Sequence, residues 1–191
     1  MTDPIIEDKI FEKADFPKSV FQPGIYDNCS FLNCNFYEAD LSGIRFSECS
    51  FIACNLGLAR MYKTSLSNTV FKDCKLLGLR FDTCSTFILS FSFDTCILSH
   101  SSFCNLKLKK TNFSNSQLQE VDFTGCDLSN SVFDYCNLKG VIFENTILEK
   151  ADFSNSFNYS IDPELNKIKK AQFTFPGVLG LLHKYDIDVK Y

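Results

Sequence analysis

Large apolar residues recur along this chain at every fifth position. From Phe16 the step meets Phe21, Tyr26, Phe31, Phe36 and Leu41, and it continues without a polar residue to Phe81. It resumes at Phe93 and runs to Phe153 as a strict alternation of Phe and Leu. Two residues before each of these centres stands a mostly smaller side chain, commonly Cys, Ala, Ser or Thr. Ile44, Leu79, Phe91 and Leu106 are the bulky exceptions. The residue just before the centre is often Asp or Asn, as at Asp40, Asn55, Asp122 and Asp127. A period of five matches neither the helical 3.6 nor the period 2 of a simple strand. A fixed internal period marks a solenoid. In extended chain, residues i and i−2 point the same way. The large and the small residue of each unit therefore face an interior, and the Asp or Asn and the last two residues face water.

The units Cys-Asn-Phe, Ala-Asp-Leu, Val-Asp-Phe and Cys-Asp-Leu, spread between residues 14 and 156, resemble the A(D/N)Lxx unit of pentapeptide repeat proteins. That resemblance implies an all-β solenoid, a right-handed quadrilateral β-helix in which four units make one square coil. The 138 residues from Phe16 to Phe153 then give about seven coils, a rod of roughly 33 Å at the ~4.8 Å spacing of stacked strands. The Phe/Leu alternation puts Phe on two opposite faces and Leu on the other two. Phe93, Phe113, Phe133 and Phe153 form one column, and Phe103, Phe123 and Phe143 the facing one. An axis filled in this way has no room for a ligand channel. The expected organisation is a lead-in over residues 1–13, the repeat rod over 14–175, and a C-terminal helix with a short strand over 176–191.

The register slips once. Phe81 and Phe93 are two residues further apart than two units allow, which places an insertion between Cys84 and Phe91. It is either a passive corner bulge or a contact loop on a rigid scaffold, with Phe87 and Ile88 exposed. Pro17 and Pro23 lie in the first coil, where a residue without an N–H blunts an open strand edge. At the other end Phe173 falls twenty residues after Phe153. Pro176 to Tyr185 reads as a helix whose Val178, Leu181, Leu182 and Tyr185 share one apolar face, expected to cap the last coil. Leu179, Ile187 and Val189 are left for a dimer seam. The run from Leu181 to Val189 is similar to the C-terminus of Qnr-type quinolone-resistance proteins. That resemblance implies tail-to-tail homodimers that mimic DNA and bind DNA gyrase or topoisomerase IV. Some of those proteins carry long loops where this chain has a two-residue insertion.

Composition narrows the chemistry. The chain has 191 residues, 21 Phe, 10 Cys, no Trp and a net charge of −4, which argues against a broadly basic nucleic-acid binder. No apolar run is long enough to span a bilayer and the N-terminus does not read as a signal peptide. The expectation is a cytoplasmic protein with reduced thiols and neither membrane nor direct nucleic acid as partner. Cys29, Cys34, Cys49, Cys54, Cys74, Cys96, Cys126 and Cys136 occupy the small inward position, and Cys84 joins them if the first register continues. As core thiols they need no ligand. The rival reading, a metal site from Cys29 and Cys34 or from Cys49 and Cys54, is disfavoured because residues five apart lie on adjacent faces. With two histidines, His100 and His183, and no Gly-rich phosphate loop, no enzyme activity, metal or cofactor is expected.

The function expected is a rigid protein-interaction scaffold; the alternative is a DNA mimic that protects a type II topoisomerase from quinolones. Residues 111–156 carry seven acids and two bases, and residues 57–110 three acids and eight bases. In a tail-to-tail dimer the acidic segments adjoin, and such a field attracts a basic groove. Asp122, Asp127 and Asp134 are the candidate partner-binding acids, with Phe87 and Ile88 as candidate loop contacts. The competing reading is that Asp and Asn before the centre serve corner geometry.

Overall fold

The computed structural model describes residues 3–16 and 21–190. Pro17, expected to blunt the open edge, falls outside them. Pro23 is exposed in a segment with no strand.

The chain winds as a square solenoid. Each unit contributes one short rung to one face, then turns. The first face carries β1 (Ile5–Glu7), β3 (Ile25–Asp27), β5 (Arg45–Ser47) and β7 (Ser65–Ser67). The second carries β2 (Ile10–Glu12), β4 (Ser30–Leu32), β6 (Ser50–Ile52), β8 (Thr69–Lys72), β9 (Phe91–Asp94), β10 (Asn112–Ser114) and β11 (Val132–Asp134). Every pairing is parallel and in register, Phe11 opposite Phe31 and Phe31 opposite Phe51. The third face is held by single bridges such as Asn35 to Asn55 and Gln117 to Asn137, and the fourth by Arg80 to Ser102 and Ser102 to Asp122.

Residues 1–13 were expected as a lead-in, but β1 and β2 lie within them and pair with β3 and β4. The reason is visible in the five-residue step itself, which continues backward from Phe16 to Phe11 and Ile6.

The core is a filled column. On the second face the rings of Phe11, Phe31, Phe51, Phe71, Phe93, Phe113, Phe133, Phe153 and Phe173 stack with centroids 4.7–5.4 Å apart. The facing column of Phe81, Phe103, Phe123 and Phe143 stacks likewise. The two columns meet edge to face across the axis, Phe113 to Phe123 at 5.7 Å, a geometry the ring quadrupoles favour. The alternation of Phe and Leu thus becomes opposite aromatic walls.

Corners explain the remaining positions. The residue two after most centres takes a left-handed conformation, as at Asn33 (φ +53°), Lys63 (φ +56°) and Gly78 (φ +66°). A Cβ on Gly78 would also come within 2.8 Å of the Leu58 side chain. Asp or Asn before the centre accepts the N–H two residues on: Asn55 from Gly57 (3.1 Å), Asp122 from Thr124 (2.9 Å), Asp152 from Ser154 (2.8 Å). The small inward residue does more than save space. Its thiol or hydroxyl donates to the centre carbonyl one coil below: Cys54 to Phe31 (3.2 Å), Cys74 to Phe51 (3.3 Å), Ser131 to Leu108 and Thr64 to Leu41 (both 2.8 Å). Cys54 also receives the Cys34 N–H at 3.4 Å.

At the break, a single 3-10 turn over Phe81–Thr83 leads into a loop with Phe87 and Ile88 at its outer turn. The loop returns through Ser90, whose N–H donates to the Leu66 carbonyl at 2.9 Å. Pairing then resumes at a spacing of 22 residues, Phe71 opposite Phe93. The loop replaces one rung of the first face. Phe91 turns inward and its ring lies 5.4 Å from that of Phe81 and 5.1 Å from that of Phe93, so the axis stays filled.

The C-terminal segment differs from expectation. Instead of one helix there are two 3-10 turns, Gly177–Leu181 and His183–Tyr185, and residues 186–190 form no strand. A 3-10 turn has three residues per turn, so the i, i+3, i+4, i+7 face does not assemble. Leu181 packs on the core, whereas Val178 and Tyr185 stay exposed. Gly177 and Gly180 supply the reason. Both are weak helix formers, and both lie against Tyr159, where a Cβ would clash.

Candidate interaction surface

The three aspartates do not share a groove. Asp122 is a rung of the fourth face and Asp127 a rung of the first, while Asp134 ends β11 on the second. Each is also engaged. Burial pushes the Asp122 carboxyl up, but hydrogen bonds from Thr124 and the Cys104 thiol outweigh it and hold it below its usual range. At Asp127 burial is likewise outweighed by Ser129, through its hydroxyl (2.6 Å) and N–H (3.1 Å), and by Lys109 at 3.1 Å. Asp134 accepts from the Asn155 amide at 2.8 Å. The acids of residues 111–156 are therefore distributed around the rod.

The loop residues are free. Phe87 is 77% and Ile88 62% exposed. A cleft of about 310 Å³ lies beneath the loop, lined by Thr86, Leu89, Asn105, Leu106 and Lys107.

Sequence reasoning missed a second apolar surface. Tyr37, Leu58 and Leu77 stand exposed along the corner between the third and fourth faces, beside Tyr62. The Tyr37 ring lies over Gly57, and the Leu58 side chain over Gly78. A cleft of about 300 Å³ opens there, lined by Leu58, Tyr62, Gly78, Arg60 and Arg80 among others. The signal was available: a step of twenty along outward positions reads Tyr37, Gly57, Leu77 and Glu38, Leu58, Gly78.

At the C-terminus, Leu179, Ile187 and Val189 come together, lining one cleft of about 240 Å³ with Leu182, His183 and Asp186. The tail is tied down by Lys184, whose ammonium meets Asp162 at 2.8 Å and Glu164 at 2.7 Å.

The thiols follow the repeat. All but Cys104 are buried, and burial pushes Cys49, Cys84, Cys126 and Cys136 up to about 12. Among the described residues no three metal-binding side chains cluster. His100 stands at an exposed corner, 3.1 Å from Glu120, and His183 is exposed on the tail. No helix among the described residues is long and apolar enough to cross a membrane.

Two family profiles match the sequence. Pentapeptide repeats (8 copies) covers residues 29–68, and Pentapeptide repeat region covers residues 87–153. No curated protein matches the chain by sequence. Among solved structures, trypsin-treated QnrB1, a plasmid-mediated fluoroquinolone resistance protein, is similar over 100% of this chain and 93% of its own. The identity is 20% and the TM-score 0.57. Full-length QnrB1 aligns over 96% of this chain and 100% of its own, at 19% identity and TM-score 0.44. HetL, a pentapeptide repeat protein of heterocyst regulation from Nostoc sp. strain PCC 7120, aligns over 90% and 86% at 16% identity and TM-score 0.37.

Proposed function

Because the chain belongs to the pentapeptide repeat family, we propose that it is a rigid rod that binds other proteins on its outer surface, in the cytoplasm, and carries out no chemistry of its own. The observation behind this reading is the corner patch of Tyr37, Leu58, Tyr62 and Leu77. A filled axis leaves only the exterior for recognition, and contiguous exposed apolar side chains mark contact sites. The repeat does not require them, since corner positions elsewhere hold Ser, Asn or Lys. The test is affinity capture with the wild-type chain against Leu58→Glu combined with Tyr62→Ser, read by quantitative mass spectrometry. Partners retained by the wild type are lost from the variant; an identical partner set overturns the patch as the contact.

A second reading is binding to DNA gyrase or topoisomerase IV with protection against quinolones. It is supported by the likeness in fold to a fluoroquinolone resistance protein along the whole chain. Asp122 and Asp127 cap turn N–H groups, so Asn is the substitution that removes charge and keeps the cap. A supercoiling titration with a fluoroquinolone tests it. Protection at low micromolar wild type, weakened in Asp122→Asn with Asp127→Asn, favours mimicry; no effect from a folded wild type removes gyrase as the partner.

A further inference from the structure

The first face carries a charge that the linear sequence conceals. Its rungs after the loop are Lys107, Asp127, Ile147 and Lys167, bridged in order. Two and three residues beyond each rung, along the same side, come Lys109 and Lys110, then Ser129 and Asn130, then Glu149 and Lys150, then Lys169 and Lys170. All seven lysines are exposed. Among the described residues only Lys109 has an ion-pair partner, Asp127. Glu149 is half-buried. Lysines from the basic middle, the acidic segment and the C-terminal part of the chain thus fall into one basic stripe over four rungs, about 14 Å long at the strand spacing.

The loop stands at the start of this stripe. It takes the place of the first-face rung immediately below Lys107, and the two share the walls of one cleft. Its turn presents Phe87 and Ile88, the former 77% exposed. We propose that the first face is a docking surface for an anionic phospholipid bilayer, with Phe87 and Ile88 entering the headgroup boundary and the lysine stripe lying on the acidic headgroups. The pairing of signals supports this occupant. One short apolar insertion holds a protein to a membrane only marginally, and a polybasic patch beside it supplies the second attraction. The lysines lie along one side of a straight rod, so they meet a flat surface together. A bulky apolar tip has no complement on a phosphodiester backbone, which makes nucleic acid the weaker fit. Peripheral contact of this kind needs no spanning segment.

Cosedimentation of the full chain with vesicles tests it, using phosphatidylcholine alone and phosphatidylcholine with about a third phosphatidylserine at low salt. Binding to the anionic vesicles only is expected. Lys107→Gln with Lys110→Gln, Lys167→Gln and Lys170→Gln lowers it at least about tenfold. Phe87→Ser with Ile88→Ser lowers it about threefold or more, a loss that persists as salt is raised. Lys75→Gln with Lys139→Gln, on the third face, leaves it unchanged. Circular dichroism confirms that each variant is folded, and the outward tip residues give an independent reading if the lysine variant is not. Absence of vesicle binding, equal binding to neutral vesicles, equal loss in the third-face control, or tighter binding to duplex DNA that the same lysine variant abolishes would each overturn the proposal.

Discussion

A small residue inside this rod is chosen for its hydrogen bond as much as its volume. Cys54 receives the Cys34 N–H and donates to the Phe31 carbonyl; Ser and Thr do equivalent work at other coils. Cys54→Ala therefore costs about 1–3 kcal/mol by orphaning two buried backbone groups, and Cys54→Ser recovers at least half of that. Chemical denaturation of the two variants decides it; equal loss in both would show that only volume matters. The sequence displayed the position and its inward direction but not this bond, because a five-residue pattern cannot show which carbonyl lies above or below. For the same reason the sequence could not show that Asp122 and Asp127 each accept a turn N–H, the corner role that stands beside their expected role in partner binding. Tyr159 adds a second residue-scale case. Its hydroxyl is buried with no partner among the described residues, so Tyr159→Phe is expected to leave stability unchanged or raise it by up to about 1 kcal/mol.

At the scale of elements, the tail is a latch held by charge. Lys184, with a neighbouring N–H, holds Asp162 below the usual carboxylate range, and Lys184 and Tyr185 hold Glu164 below it. Depressed folded pKa values contribute stability above the ordinary carboxylate range and lose it as pH falls through the lowered values. Lys184 is raised by the same two acids, so its contribution is complete below the ordinary lysine value and fades as pH rises through the raised one. The tail should therefore loosen only at the acidic and strongly alkaline extremes. Methyl NMR of Ile187 and Val189 across pH checks this, and in Lys184→Met the acid transition disappears. We also expect the cleft of Leu179, Ile187 and Val189 to join two copies, so Leu179→Asp gives monomer mass by light scattering where the wild type gives dimer. The helix read from Pro176 to Tyr185 failed because its apolar spacing said nothing of Tyr159, whose ring leaves room only for Gly177 and Gly180.

For the whole molecule, the fold was legible because nearly every interior position obeys one short rule. The loop tip was legible too, since an insertion into a filled axis must go outward. What was not legible was distribution around the axis: segment charges gave an acidic half and a basic middle, while the structure gathers seven lysines with Asp127 on the first face and sets Asp122 and Asp134 on others. The continuous aromatic column makes the rod sensitive at its middle. Phe113 stacks on Phe93 at 5.3 Å and Phe133 at 4.9 Å, and Phe113→Ala should cost about 3–5 kcal/mol, seen as a lower denaturation midpoint at unchanged slope.

The coil register also makes the chain a protractor. The excursion at Phe87 spends seven residues where five suffice, yet β9 lands on β8, so nothing downstream rotates. Gain or loss of one whole unit would behave differently. Every residue beyond it would advance a quarter turn, carrying the lysines to a neighbouring side while the interior stayed apolar, with Phe now stacking on Leu. Twenty residues would change the length and leave every aim as it was. In such a scaffold, the direction in which a surface points is heritable separately from the stability of the body that bears it.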